Sequence, residues 1–323
     1  MELVNSSIPR ITMKAAIKLG VLEILAKASP SQLTSSEIAS QLPTNNKEAP
    51  IVLDRMLRLL ACHSFRNLVT NKDGSVQRLY GLASVSRFFV PNEDGVSLAP
   101  CFWLFPLKCF RLLDHDPPPP LLLDHDPSLP RLLDHELSPM IFQVMTQVRS
   151  ALDKGFEELN ELVDVAGGLG VNMSLIVNTY SQIRGINFDL PHVIENASSS
   201  PGVEHVGGDV FVKIPNGQAI FMKFILHDWS DEQYLKILKN CYDALPESGK
   251  VIIVESVVPE SPEFSSINRN ILTLDIVMYD LFPQAKGRTA GEFKALAMAA
   301  GFGTIKVICR AYCYWVIEFY KPM

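Results

Sequence analysis

The stretch Leu162–Gly170, Leu-Val-Asp-Val-Ala-Gly-Gly-Leu-Gly, restricts the fold more than any other part of the chain. An apolar run ends there in a cluster of small residues, and a helical pattern follows. That order predicts a buried parallel strand, a tight turn and a helix. Glycines at such a turn let a ligand approach the backbone, and the free N–H groups of the helix start suit an anionic group. The dinucleotide fingerprint G-x-G-x-x-G is a different pattern: its register on Ala166, Gly168 and Val171 fails at two of three positions. Taken alone, the segment also fits a tight strand–helix loop with no ligand.

A second strand, Ile183–Leu190, ends at Asp189. An acid at the tip of strand two, roughly 20 residues past the glycines, is where an open α/β sheet holds ribose hydroxyls. Its two oxygens accept from both hydroxyls of a diol. The alternative is a strand-end Asp capping the turn before Pro191; the upstream glycines favour a nucleoside. The alternation then continues. Val203–Asp209 and Gln218–Leu226 read as strands, Ser230-Asp-Glu-Gln233 as a capping box for a helix to Leu245, and Lys250–Val258 as a further strand. Helices cover 267–281 and 289–300, and Val307 and Tyr312–Tyr320 supply closing strands. The expectation is an α/β fold with a Rossmann-like, doubly wound, mostly parallel sheet.

The N-terminal part reads differently. Residues 10–27 predict one amphipathic helix, with Ile11, Ala15, Leu19, Leu22 and Leu25 at helical spacing. Thr34-Ser-Ser-Glu37 is a capping box for a second, and 49–62 a third. Two strand-like runs flank the turn Asp73-Gly74. Helices and a hairpin in this order suggest a mostly helical, winged-helix-like unit. Its third helix carries only Arg55 and Arg58 as long cations, too few for a groove reader. Burial in a core or subunit interface is the better reading, which makes this a dimerisation domain.

Between the two parts, Arg111-Leu-Leu-Asp-His-Asp116 recurs as Leu121-Leu-Leu-Asp-His-Asp126 and Arg131-Leu-Leu-Asp-His-Glu136. His115, His125 and His135, flanked by carboxylates, are of metal-ligand type. The intervening prolines keep the units extended, so an exposed, poorly ordered loop without metal is expected. A helix resumes at Ser138, with Ile141, Met145, Val148 and Leu152 on one face. The expected domains are 1–100, 101–140 and 141–323.

A formal charge of −6 argues against a general nucleic-acid binder. The six cysteines form no C-x-x-C pair, which suggests a reducing compartment. The start, Met1-Glu-Leu-Val-Asn, lacks the pattern of a signal peptide, and no apolar run approaches the ~20 residues of a membrane span. A cytoplasmic protein with no membrane partner is expected.

The run Phe221-Met-Lys-Phe-Ile-Leu-His-Asp-Trp229 is the second anchor. An apolar strand leaves the core there at its carboxyl end, the edge where such sheets bind ligands. A neutral His227 suits removal of a proton from a weak acid such as a phenol. Glu255 ends another apolar strand and would orient that imidazole. Alternatively, His227 caps the following turn and Glu255 partners Lys223, the lone cation of its strand.

These residues resemble a known family, the plant S-adenosylmethionine-dependent O-methyltransferases of the caffeic acid type. The match spans 8–100 and 141–321. It includes Leu53-Asp-Arg-Met-Leu-Arg-Leu-Leu60, Gly185-Ile-Asn-Phe-Asp-Leu-Pro-His-Val-Ile194, Gly202-Val-Glu-His-Val-Gly-Gly-Asp209 and His227-Asp-Trp-Ser-Asp231. The resemblance implies a homodimer formed through the N-terminal domain and a methyltransferase domain binding S-adenosyl-L-methionine. It implies that Gly167, Gly168, Asp189, Asp209, Val210 and Lys223 surround this cofactor. It implies His227 as catalytic base, Glu255 as its flanking acid, and Val277 and Met278 lining the pocket of a small phenolic acceptor of caffeate or flavonoid kind, with no metal. The chain departs from the pattern in three places. Ala166 replaces a third glycine, Gly287 replaces a second acid before the Arg-Thr pair, and the proline-rich repeat replaces pocket helices. These departures motivate an alternative, a catalytically weak paralogue that acts as a dimeric binding protein.

Overall fold

The computed structural model describes residues 8–63, 65–72, 75–83, 85–91, 97, 156–261, 265–281, 284–311 and 313–322. The histidine repeat and the helix expected from Ser138 lie outside these residues. The chain divides into two compact units, one of 1–117 with 258–283 and one of 118–257 with 284–323.

The first unit begins with helices α1 (Ile8–Lys18), α2 (Val21–Ala28), α3 (Ser35–Ala39) and α4 (Ala49–Ala61). The single helix expected over 10–27 is two helices. Gly20 is left-handed (φ 75°) and starts α2, so the helix axis breaks although the apolar spacing runs on. Thr34 and Glu37 form the capping box of α3. Strands β1 (Phe65–Lys72) and β2 (Ser75–Leu82) pair antiparallel, in register from Phe65 with Leu82 to Lys72 with Ser75.

The second unit holds a seven-stranded sheet in the order β5-β4-β3-β6-β7-β9-β8. In chain order its elements are β3 (Glu161–Val165), α5 (Val171–Thr179), β4 (Arg184–Asp189), α6 (Pro191–Ile194), β5 (Val203–Gly207), β6 (Ala219–Lys223), α7 (Asp231–Ala244) and β7 (Lys250–Glu255). The chain then makes α8 (Ser266–Leu281), which belongs to the first unit, before returning for α9 (Ala290–Ala299), β8 (Thr304–Ala311) and β9 (Tyr314–Tyr320). Strands β3 to β7 pair in parallel, whereas β9 runs antiparallel to both β7 and β8. The central strand β6 is buried along its whole length, as a strand covered on both faces must be. Val163, Ile220, Met222, Ile237, Val251 and Phe319 belong to the core cluster that covers it.

The strand expected over 218–226 ends at Lys223, because Phe224 turns left-handed (φ 61°) and takes the chain out of the sheet. A short 3-10 turn, Leu226–Asp228, follows. The strand expected over 250–258 likewise ends at Glu255. Among the described residues no helix is long and apolar enough to cross a membrane.

Helix α8 is tied to α4 by buried charge. Asp275 lies 3.8 Å from Arg55 Nη1 and 3.5 Å from Arg58 Nη2. Asp54 in turn meets Arg58 Nε at 3.3 Å and accepts a 2.6 Å bond from the Tyr80 hydroxyl. The two guanidinium groups of α4 are thus buried against carboxylates within their own unit.

Candidate active site

The strand order reverses between β3 and β6: the chain runs from β3 outward to β5, then crosses back to β6. Ligands of open α/β sheets bind at the carboxyl edge at such a reversal. Both sequence anchors lie on this edge, the glycine turn after β3 and the histidine turn after β6.

At the first anchor, Ala166 (φ 55°), Gly168 (φ 59°) and Gly170 (φ 83°) are all left-handed. A Cβ on Gly167 would lie 2.2 Å from Asn187 Oδ1 and 2.7 Å from Asp164 Oδ2, so no side chain fits there. A Cβ on Gly168 would meet nothing within 4 Å, so open space adjoins that residue. The Gly168 amide donates to Asp189 Oδ2 at 2.8 Å, and Asp189 Oδ1 accepts from the Leu190 amide at 2.7 Å. Asn187 Nδ2 donates to the Gly168 carbonyl at 2.9 Å and lies 3.1 Å from His205 Nδ1. His205 Nε2 lies 3.0 Å from the Ser198 carbonyl. An amide nitrogen only donates and a carbonyl only accepts, so His205 carries its proton on Nε2 and accepts on Nδ1.

Asp164 is 1 % exposed. Burial pushes its carboxyl up to about 7, with Lys223 pulling it back and Asp189 adding to the rise. Among the described residues, Asp164 Oδ2 and Asn187 Oδ1 are buried acceptors with no hydrogen-bond partner. Orphaned acceptors beside a corner that excludes side chains fit the donor groups of a bound ligand. Lys223, 8 % exposed, has its Nζ 4.3 Å from the centre of the Phe224 ring. At the end of β5, Asp209 Oδ1 accepts from the Phe211 amide at 2.8 Å, and the Val210 carbonyl accepts from Asn240 Nδ2 at 2.7 Å. The Gly208 amide donates to the Asp189 carbonyl at 2.9 Å, so this end of β5 adjoins Asp189.

At the second anchor, His227 Nδ1 lies 2.8 Å from Glu255 Oε2. Glu255, 1 % exposed, also accepts from the Leu226 amide through Oε1 at 2.9 Å. An ionised carboxylate can only accept, so Nδ1 holds the proton and Nε2 is the basic nitrogen of the neutral ring. Asp228 Oδ1 stands 3.3 Å from Nε2. Burial opposes the charged imidazole, but Glu255 and then Asp228 outweigh it. Arg288 pulls the other way, and the result is a His227 pKa raised to about 9. Burial likewise pushes Asp228 up to about 6, against the pull of His227.

The second unit therefore brings Gly167, Gly168, Asp189, Lys223, His227 and Glu255 to one edge of the sheet, with Asp209 and Val210 at the adjoining strand end. Val277 and Met278 lie on α8, in the first unit, and are half-buried. Sequence reasoning did not single out Asp164, Asn187, His205, Asp228 or Arg288. For Asp164 and Asn187 a signal exists: each is a polar residue inside an apolar strand. For Arg288 the one signal is its place in the Arg-Thr pair, since its bonding partners lie far back in the chain.

Residues 124–303 match the family model of the O-methyltransferase domain, and residues 1–92 that of the O-methyltransferase dimerisation domain. A caffeic acid 3-O-methyltransferase of Capsicum annuum is 46 % identical over 340 residues, covering 99 % of this chain and 95 % of that protein. Among solved structures, an O-methyltransferase family 2 protein of Planctomyces limnophilus in complex with apigenin superposes with a TM-score of 0.73. That match is 18 % identical and covers 99 % of this chain and 94 % of the other. Human N-acetylserotonin methyltransferase in complex with SAM gives a TM-score of 0.51 at 17 % identity, over 100 % and 96 % of the two chains.

Proposed function

Since the chain belongs to the O-methyltransferases of the caffeic acid type, which use S-adenosyl-L-methionine, we propose that His227 is its general base and a phenolic hydroxyl of a small phenylpropanoid its methyl acceptor. The observation that carries this reading is the 2.8 Å contact of His227 Nδ1 with buried Glu255. It leaves Nε2 as the nitrogen able to take a proton, and it places a counter-charge behind the imidazolium that results.

When bound, the cofactor supplies a methyl group activated on a sulfonium. The residues that would hold it are Gly167, Gly168 and Asp189 at the turn, Asp209 and Val210 after β5, and Lys223 on β6. Asp189 would accept from ribose hydroxyls with the lone pairs left over from the Gly168 and Leu190 amides. The orphaned oxygens of Asp164 and Asn187 suit its cationic, hydrogen-bond-donating end. The chain's own chemical step is deprotonation. Nε2 takes the phenolic proton, and Nδ1 keeps its hydrogen bond to Glu255. That step uses no metal. Val277 and Met278 are assigned to the acceptor pocket, and the N-terminal domain to a homodimer interface, in a cytoplasmic enzyme.

The test is transfer of labelled methyl to a panel of catechol-type phenols. The parent protein methylates at least one of them, and His227→Gln lowers kcat by about 100-fold or more while it still binds S-adenosylmethionine. A His227→Gln protein with parental turnover overturns the assignment. A parent that binds the cofactor but methylates no phenol on the panel favours the binding-protein alternative.

A further inference from the structure

Phe224 turns left-handed, and its amide makes the last main-chain bond to the neighbouring strand, to the Val254 carbonyl at 3.1 Å, before the turn that carries His227. That turn is also held from the opposite direction in sequence. The Lys286 amide donates to the His227 carbonyl at 2.9 Å. Arg288 Nη1 donates to the Leu226 carbonyl at 2.9 Å and to the Lys286 carbonyl at 3.1 Å, and Nη2 donates to the Trp229 carbonyl at 2.7 Å. Its Nε donates to Asp231 Oδ1 at 2.9 Å, on the first turn of α7. The guanidinium lies 4.5 Å from the centre of the Tyr234 ring and the residue is 1 % exposed. One planar cation thus spans the carbonyls on both sides of the imidazole. A lysine ammonium lacks the fork needed to meet them together.

We propose that Arg288 is a positioning residue for His227, fixing the turn so that Nδ1 meets Glu255. This rests on the reading of His227 as base. Among the described residues, the charged groups acting on the imidazole are Glu255 from β7, Asp228 from its own turn, and Arg288 from the segment before α9. The Lys286 ammonium is engaged elsewhere, with Asp231 at 3.0 Å and Glu292 at 2.8 Å. Gly287 brings no carboxylate into that segment. Arg288 is therefore the cation that opposes the two acids at the imidazole.

The experiment compares full-length parent, Arg288→Lys, Arg288→Met and His227→Gln in methyl transfer to a catechol. It runs from roughly pH 6 to 10, so that the acid limb of kcat/KM is followed directly. Folding is monitored by circular dichroism and cofactor binding by calorimetry with S-adenosylhomocysteine. Both Arg288 variants should lose about 10- to 100-fold in kcat, the scale of a misplaced catalytic group, with KM for S-adenosylmethionine within about threefold. Arg288→Met, which removes the charge, should move the acid limb to higher pH. Arg288→Lys should leave that limb in place. A folded, cofactor-binding Arg288→Met protein with kcat within about threefold of the parent overturns the proposal. So does a loss of kcat with the acid limb unmoved in Arg288→Met. If Arg288→Met does not fold, Arg288→Lys decides: reduced kcat at constant KM supports the proposal, and parental kcat overturns it. Activity retained by His227→Gln would instead overturn the base assignment on which the proposal depends.

Discussion

Ala166 occupies a backbone conformation that costs an L-residue about 1 kcal/mol relative to glycine. The neighbouring glycines show what the turn demands: positive φ at 168 and 170, and no Cβ at 167. Ala166→Gly should therefore raise stability by up to about 1 kcal/mol, less whatever entropy the extra freedom returns to the unfolded chain. A rightward shift of the urea midpoint with unchanged slope is the expected result. Asp164 sits beneath the same turn with the opposite balance. Its carboxyl is nearly isosteric with an amide, and burial penalises only the charged form. Its presence inside Leu162–Gly170 was legible in the sequence, as one acid among apolar neighbours. The acceptor it leaves unpaired was not legible, because that depends on Asn187 from the adjacent strand and on where Gly167 places its backbone.

The strands and helices of the sheet unit follow from alternating apolar runs and caps, and Ser230 with Gln233 and Thr289 with Glu292 form the boxes such patterns encode. What pattern does not encode is where an element stops when the apolar residues continue. Phe224-Ile-Leu226 looks like more of β6, and Leu19 looks like more of α1. In each case a left-handed residue, Phe224 or Gly20, ends the element, and only glycine among the two announces itself. Helix α9 has an uninterrupted pattern and begins where its capping box places it. Thr289→Ala removes the hydroxyl that accepts from the Glu292 amide and should cost about 1 kcal/mol in a denaturant titration. The histidine turn was legible as far as its residues. Its clamp by Arg288 was not, since carbonyl partners about 60 residues earlier leave no trace in local sequence.

Taken together, the buried titrating groups of the sheet unit give the protein an unusual response to pH. Asp164 is raised from 3.8 to about 7, Asp228 from 3.8 to about 6, and His227 from 6.5 to about 9. All three bind protons more tightly folded than unfolded. For the two acids, stability falls as pH rises from the unfolded value toward the folded one. For His227, the stabilising contribution is complete below its unfolded value and is lost as pH rises toward 9. These three groups should therefore weaken the folded state steadily from about pH 4 to about pH 9. Thermal unfolding in a pH series checks this. Asp164→Asn should flatten the acid half of the slope, with a gain of roughly 4 kcal/mol at most by pH 8, at about 1.4 kcal/mol per pH unit between the two values. Activity should run the other way, rising with pH as His227 sheds its proton, so that the most active protein is not the most stable one.

Helix α8 has a consequence for how this chain can be divided. It is made late, between β7 and α9, yet its Asp275 neutralises Arg55 and Arg58 of a helix completed more than two hundred residues earlier. An N-terminal half released on its own from the ribosome, or cut free by a protease, would lack the Asp275 carboxylate that Arg55 and Arg58 share, leaving Arg58 with Asp54 of its own helix. The first unit is thus complete only after most of the second has been synthesised.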